Sequence, residues 1–287
     1  MALVAPVAFD GLAGVLRGEQ FSVGRPDRSV LLLHGGGQNR HSWDRVAHYV
    51  AARGWLAITL DQRGHGDSDW SVDRMYSSSD FADDVVAVVD QIAGANGGQS
   101  RPVLVGASLG GIASLIASAR RAEGVGGLVL VDIAPRTERL GTDRVREFMR
   151  SGLHGFAGLD EAAKVVARYK GRGSANVNHD RLKRSLRFGN DGLWRWHWDP
   201  EFVTSTDRED SEARREILLE YARGVQVPTL LIRGTKSNVV SLEGAAELKV
   251  AMPHARVVTV EGAGHMVASD DNANFSLSLL TFLESFN

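Results

Sequence analysis

Short apolar runs alternate with stretches of helical periodicity along most of the chain, the pattern of a parallel sheet covered by helices. The runs fall at 30–33, 56–60, 102–105, 127–131, 228–232 and 256–260. Several are apolar at every position, as strands buried between two helical layers must be. Helices are predicted between them. One covers 42–53 and stops at Gly54. The next, over 79–93, carries Phe81, Val85, Val89 and Ile92 on one stripe, with Ser78 or Ser79 as N-cap. Further helices are predicted over 109–122, 243–252 and 274–286.

One interval breaks this rhythm. From Ala134 to about Gln226 there is no buried strand pattern, and Arg, Asp and Glu are frequent. Such a span is too long for a loop, so it must have structure of its own, mostly helical. A cap is expected over 134–226, inserted into a core of 1–133 and 227–287. Within it, Leu193-Trp-Arg-Trp-His-Trp-Asp-Pro200 holds three of the six tryptophans. Trp194, Trp196 and Trp198 share a face if the segment is extended; only Trp194 and Trp198 align if it is helical.

Composition narrows the function classes. The 287 residues carry 33 basic and 35 acidic side chains, a net charge of −2, so no basic field favours nucleic acid as partner. With no cysteine, disulfides, thiolate catalysis and sulfur-ligated zinc are excluded. No apolar run reaches the roughly 18 residues of a membrane span. The start, Met1-Ala-Leu-Val-Ala-Pro-Val7, lacks a basic flank and soon meets Asp10, so a signal peptide is not expected and a cytoplasmic location is. Oligomeric state is not legible.

Candidate chemistry sits at the strand ends. Gly106-Ala107-Ser108-Leu109-Gly110 fits G-x-S-x-G between a strand and a helix. A serine on so sharp a turn needs neighbours without a Cβ, so that its hydroxyl stands clear. With 32 glycines in the chain, the motif alone arises by chance in roughly one sequence in four, and the strand–turn–helix context is what gives it weight. His34-Gly35-Gly36-Gly37 ends an earlier strand and can present amides to an oxyanion, at about 3 kcal/mol per donor. Gly262-Ala-Gly-His265 places an imidazole after the last strand. Asp61-Gln-Arg-Gly-His-Gly-Asp-Ser68 reads as a hydrogen-bonded supporting loop.

Along the chain the order is H-G-G-G, then D-x-R-G-x-G-x-S, then G-x-S-x-G, then G-x-G-H, and these four motifs in that order resemble the α/β-hydrolase fold superfamily in its capped esterase, epoxide-hydrolase and dehalogenase-like branch. The resemblance covers nearly the whole chain outside the cap. It implies Ser108 as nucleophile, His265 as general base, and the Gly36 and Leu109 amides as oxyanion hole. A serine at 108 argues against epoxide or haloalkane chemistry, where a carboxylate must displace at carbon.

The acid departs from the family pattern. Where many members read R-G-x-x-S-D, this chain reads Arg233-Gly-Thr-Lys-Ser-Asn238. An amide cannot stabilise an imidazolium and can hold the wrong tautomer, a change worth about 10⁴ in rate in a serine protease. Asp132, in Val131-Asp-Ile-Ala-Pro135, ends the neighbouring strand, and the segment resembles that of small cap-bearing esterases. Adjacent parallel strand ends can serve one histidine, so Asp132 is the expected acid; ordering the cap junction is its alternative role.

The implied activity is hydrolysis of a carboxylic ester, lactone or thioester of a fairly apolar small molecule, with Gln38, Trp43, Trp194 and Trp198 as candidate substrate contacts. The tryptophans have core packing as their other reading. C–C bond hydrolysis, cofactor-free peroxidation or oxygenation, and a ligand-binding receptor with little turnover are the rival readings. No H-E-x-x-H, carboxylate cluster, dinucleotide or Walker pattern occurs, so neither metal nor cofactor is expected.

Overall fold

The structure, a computed structural model, describes residues 2–95, 97, 100–171, 177–205, 211–268 and 273–286. Positions 172–176 and 206–210 of the expected cap lie outside the described residues.

Eight strands form one sheet: β1 (Leu3–Gly11), β2 (Gly14–Ser22), β3 (Ser29–Leu33), β4 (Leu56–Leu60), β5 (Val103–Ala107), β6 (Gly127–Val131), β9 (Thr229–Gly234) and β10 (Arg256–Val260). Their order is β1-β2-β4-β3-β5-β6-β9-β10. The pairs β1–β2 and β2–β4 are antiparallel and all others parallel. Six strands coincide with the apolar runs. The N-terminal hairpin was not predicted; β1 is apolar in sequence but interrupted by Pro6, and it is mostly exposed.

Strand side chains alternate between two helical layers, as period two requires. Val30, Leu32, Val103, Val105, Val129 and Ile232 pack beneath α1 (Asp44–Ala52) and α10 (Ala273–Glu284). Leu31, Leu33, Leu104, Leu128, Leu130 and Leu231 face the other layer, with α2 (Ser78–Ala95), α3 (Leu109–Arg120) and α9 (Leu242–Ala251). Full burial of each such side chain contributes about 1.5–3 kcal/mol.

Between β6 and β9 the chain forms α4 (Arg139–Arg150), α5 (Leu159–Lys170), α6 (His179–Lys183), β7 (Leu186–Phe188), β8 (Trp194–Trp196), α7 (Pro200–Ser205) and α8 (Ser211–Gly224). The short strands pair with each other, and Trp194 also bridges to Phe156, so this span is mostly helical but not wholly so. Helix α8 ends the inserted span and packs on α3. Its buried Leu218 and Ala222 join the core layer, and Tyr221 accepts a hydrogen bond from Arg120 of α3 at 2.8 Å.

Candidate active site

The turn after β5 is tight. Ser108 sits at φ 46°, ψ −110°, between strand and helix. A Cβ on Gly106 would stand 2.2 Å from the Gly110 carbonyl oxygen, and one on Gly110 would stand 2.5 Å from that of Leu33. Both glycines are thus required by backbone approach. Ser108 N–H donates to the Val131 carbonyl at 3.3 Å, and Gly110 N–H donates to that of His34 at 3.2 Å. The serine's positive φ costs about 1–3 kcal/mol, which the surrounding ladder must hold.

Asp132 follows β6 directly, also at positive φ (48°), and is fully buried. Its N–H extends the ladder to Ile232 at 2.8 Å. Its carboxylate accepts three hydrogen bonds: from Gly234 N–H at 3.1 Å, Ser237 Oγ–H at 2.6 Å and His265 Nδ1–H at 2.8 Å. With Nδ1 donating, the neutral ring presents Nε2 as a base.

His265 is carried by the loop after β10, which is bound to the loop after β9. Lys236 N–H donates to the Ala263 carbonyl at 2.8 Å, and Gly262 N–H to Thr235 Oγ1 at 2.8 Å. A Cβ on Gly234 would lie 2.2 Å from the Ala263 carbonyl oxygen, so this glycine allows the two loops to meet. The side chain of Asn238, in the same β9 loop, is exposed, while Ser237 beside it reaches Asp132.

Ser108, His265, Gly36 and Leu109 all line one cavity of about 370 Å³. Around the glycine loop, Gly35 N–H donates to Gln38 Oε1 at 3.1 Å and Gly37 N–H to His65 Nε2 at 3.3 Å. Among the described residues, no hydrogen bond occupies the Gly36 or Leu109 N–H. The roof comes from α4, with Thr142, Val145, Arg146 and Met149 on one face, and from Phe202 and Ser205 of α7. The core contributes Ile112, Ile133 and Val239.

The four residues expected to contact substrate do not line this cavity. Gln38 is turned back onto Gly35 and donates to Met266 Sδ at 3.3 Å. Trp43 is buried in the opposite layer, 6.2 Å from Phe275. Trp194 pairs with Phe188 on the β7–β8 hairpin. Trp198 is 2% exposed and stacked on Trp196 at 4.9 Å, where it backs Gly37 from behind. The tryptophans follow the extended geometry and the core reading.

The supporting loop between β4 and α2 is densely bonded. Arg63 and Asp84 form a buried two-pronged pair at 2.6 and 2.8 Å. Asp61 is fully buried and accepts the Arg40 N–H at 2.6 Å and the Asp67 N–H at 2.9 Å. Three imidazoles lie beneath the glycine loop, and composition gave no hint of them. His34 donates to the Gly35 carbonyl and accepts from Gln62 N–H. His65 donates to the Arg63 carbonyl and accepts from Gly37 N–H. His197 accepts from Gly66 N–H at 2.7 Å. Burial pushes His34 down to about 4 and His65 down to about 3, the latter helped by its neighbour His34. Burial also holds His197 well below the usual histidine range. All three are neutral braces. The one group among the described residues that could hold a cation, Glu19 with His41 and Asp44, lies away from the cavity and faces Arg40 and Arg184.

This sheet order belongs to a known family. Residues 28–271 match the family model of the α/β hydrolase fold, and the chain is a member of that family. It is 30% identical to an esterase of Mycobacterium tuberculosis over 253 residues, 84% of this chain and 78% of that protein. It is 28% identical to a 2-(acetamidomethylene)succinate hydrolase of Mesorhizobium japonicum over 241 residues, 83% of this chain and 81% of that one. A crystal structure of an E-2-(acetamidomethylene)succinate hydrolase superposes with TM-score 0.84 at 24% identity, covering 98% of this chain and all of the other. The M. tuberculosis esterase superposes with TM-score 0.75 at 26% identity, covering 99% and 92%. No helix among the described residues is long and apolar enough to cross a membrane.

Proposed function

We propose that this hydrolase cleaves carboxylic esters, or related lactones and thioesters, through an acyl-serine intermediate. The observation that carries this reading is the 2.8 Å contact of His265 Nδ1 with buried Asp132, beside a cavity that Ser108 also lines. His265 Nε2 takes the Ser108 proton as Oγ attacks the carbonyl carbon, and the Gly36 and Leu109 amides hold the oxyanion. The proton then passes to the departing alcohol or thiol as its bond to the acyl carbon breaks. Water, deprotonated by the same imidazole, attacks the acyl-serine; the acid leaves and Oγ regains a proton. Asp132 stays ionised and stabilises the imidazolium. The segment from α4 to α7 acts as a cap that roofs the cavity and keeps bulk water from the acyl carbon.

The experiment is turnover of p-nitrophenyl butyrate at enzyme concentrations that reveal a burst. A burst of about one nitrophenolate per chain, followed by a slower steady rate and abolished in Ser108→Ala, supports the mechanism. Turnover undiminished in Ser108→Ala contradicts it.

A further inference from the structure

The cavity beside Ser108 combines an apolar wall with arginine side chains. Its apolar side chains include Ile112, Ile133, Val145, Met149, Phe202 and Val239. Among the described residues of its wall, the arginines are Arg74, Arg146 and Arg214, the last already partnered, and the acid is Asp80. Asp80 is committed elsewhere: Oδ2 accepts from both the N–H and the Oγ–H of Ser77, at 2.7 and 2.6 Å. It also stands in the first turn of α2, where the helix dipole favours its charge.

Arg146 is the best placed of the three. It lies on the cavity face of α4, set by the spacing of Thr142, Val145, Arg146 and Met149, and its side chain is 27% exposed. Its bond to Asp143, at 3.2 Å, joins two residues three apart on one helix, and Asp143 is half-exposed and not part of the wall. Such solvent-screened pairs are weak and exchange readily for a better-held anion. Arg74 adds a second sign of a functional position. With Ser108 and Asp132, it completes the set of non-glycine residues at positive φ among the described residues. It meets Glu201 at 3.5 Å across the cavity edge, with 71% of its side chain exposed. Guanidinium groups beside apolar surface hold carboxylate and phosphate oxygens with two-pronged hydrogen bonds, strengthened by partial exclusion of water.

We infer that the substrate is an ester carrying a fixed negative charge, a carboxylate or a phosphate, on the part that lies in the cavity, gripped by Arg146 together with Arg74. This rests on the acyl-serine reading and gives its substrate class. The attack, the leaving group and the water step are unchanged; the anion only orients the scissile carbonyl toward Ser108.

The test compares matched p-nitrophenyl esters: the neutral pentanoate, the glutarate monoester with its free carboxylate, and the 4-phosphonobutanoate. The expected result is a kcat/KM at least tenfold higher for one anionic ester than for pentanoate. Arg146→Gln should reduce that anionic-to-neutral ratio at least tenfold, and Arg146→Lys should recover part of it. The ratio is read because it cancels general damage to the site. Whichever anion shows the larger ratio identifies the source. Pentanoate turned over as well as both anionic esters, with a ratio that Arg146→Gln leaves unmoved, overturns the inference while the acyl-serine mechanism stands. If no ester acylates Ser108, that mechanism fails, and titration calorimetry decides the charge separately. The anilide of glutarate should then bind at least tenfold tighter than pentananilide, with the margin lost in Arg146→Gln. Equal binding of the two anilides overturns the inference.

Discussion

Ser237 Oγ donates to Asp132 Oδ2 at 2.6 Å, the same oxygen that accepts the His265 Nδ1–H. The hydroxyl is itself locked, since it accepts from the Val239 and Val240 amides at 3.2 and 3.0 Å. The β9 loop thus lacks a carboxylate of its own but orients the one supplied by β6. Loss of a hydrogen bond to a buried charge costs about 1.5–3 kcal/mol. Ser237→Ala should lower kcat by tenfold or more. It should also move the acid limb of the pH–rate profile upward, because a less neutralised Asp132 favours the imidazolium. A profile unchanged in position would make Ser237 a structural residue only.

The two candidate acids separate cleanly by substitution. Asp132→Asn removes the charge facing the imidazole and should reduce kcat by orders of magnitude, on the scale of the roughly 10⁴ known for such a change in a serine protease. Asn238→Asp places a carboxylate on an exposed side chain and should leave kcat within about twofold, since exposed charges act weakly through water. Steady-state kinetics on both variants checks this; a large gain in Asn238→Asp would reassign the acid.

Much of this was legible beforehand, and the misses have physical causes. Buried strands advertise themselves because every position is apolar, so six strands and the helices between them were read to within a few residues. Hairpin β1–β2 was missed because one strand is largely exposed and the pattern dilutes with Ala, Gly and Pro. Asp132 and His265 were legible from their places at strand ends. Ser237 was not, because a serine in a polar loop has no distinguishing pattern; its place beside the missing acid was the available signal. The aromatic residues allowed two readings, core and substrate contact, for a related reason. Trp194, Trp196 and Trp198 mark burial, and burial alone does not say which cavity a ring faces. The cavity wall instead comes from ordinary apolar residues, Val145 and Met149 at helical spacing on α4 with Ile112, Ile133 and Val239, which read as core.

The buried imidazoles make stability fall in mild acid. His34 and His65 have folded values depressed to about 4 and about 3, below the unfolded 6.5. The unfolded chain therefore binds protons that the folded one refuses. Their contribution is complete above pH 6.5 and is lost as pH falls through the window between 6.5 and those folded values. From pH 6.5 to 5 the loss is about 2 kcal/mol per imidazole. Urea unfolding at pH 7.5, 6.5 and 5 should show this drop, ahead of carboxylate protonation. A flat curve across that range would mean that the imidazoles are not buried as neutral braces.

Gly106→Ala tests the tight turn. Its new Cβ would press on the Gly110 carbonyl oxygen, and with no flexible side chain to yield, the helix must shift. Destabilisation by about 2 kcal/mol or more is expected from overpacking, together with near-complete loss of esterase activity. Thermal unfolding read beside kcat checks both; a fully active, fully stable variant would show that the turn has room.

The central claim is that Ser108 becomes nucleophilic because His265 and Asp132 act on it together. The most direct measurement is fluorophosphonate labelling followed by proteolysis and mass spectrometry of the adduct. One adduct per chain is expected, on the peptide containing Ser108, formed at least 100-fold more slowly in Asp132→Asn. No adduct, an adduct on another residue, or an undiminished rate in Asp132→Asn would contradict the account.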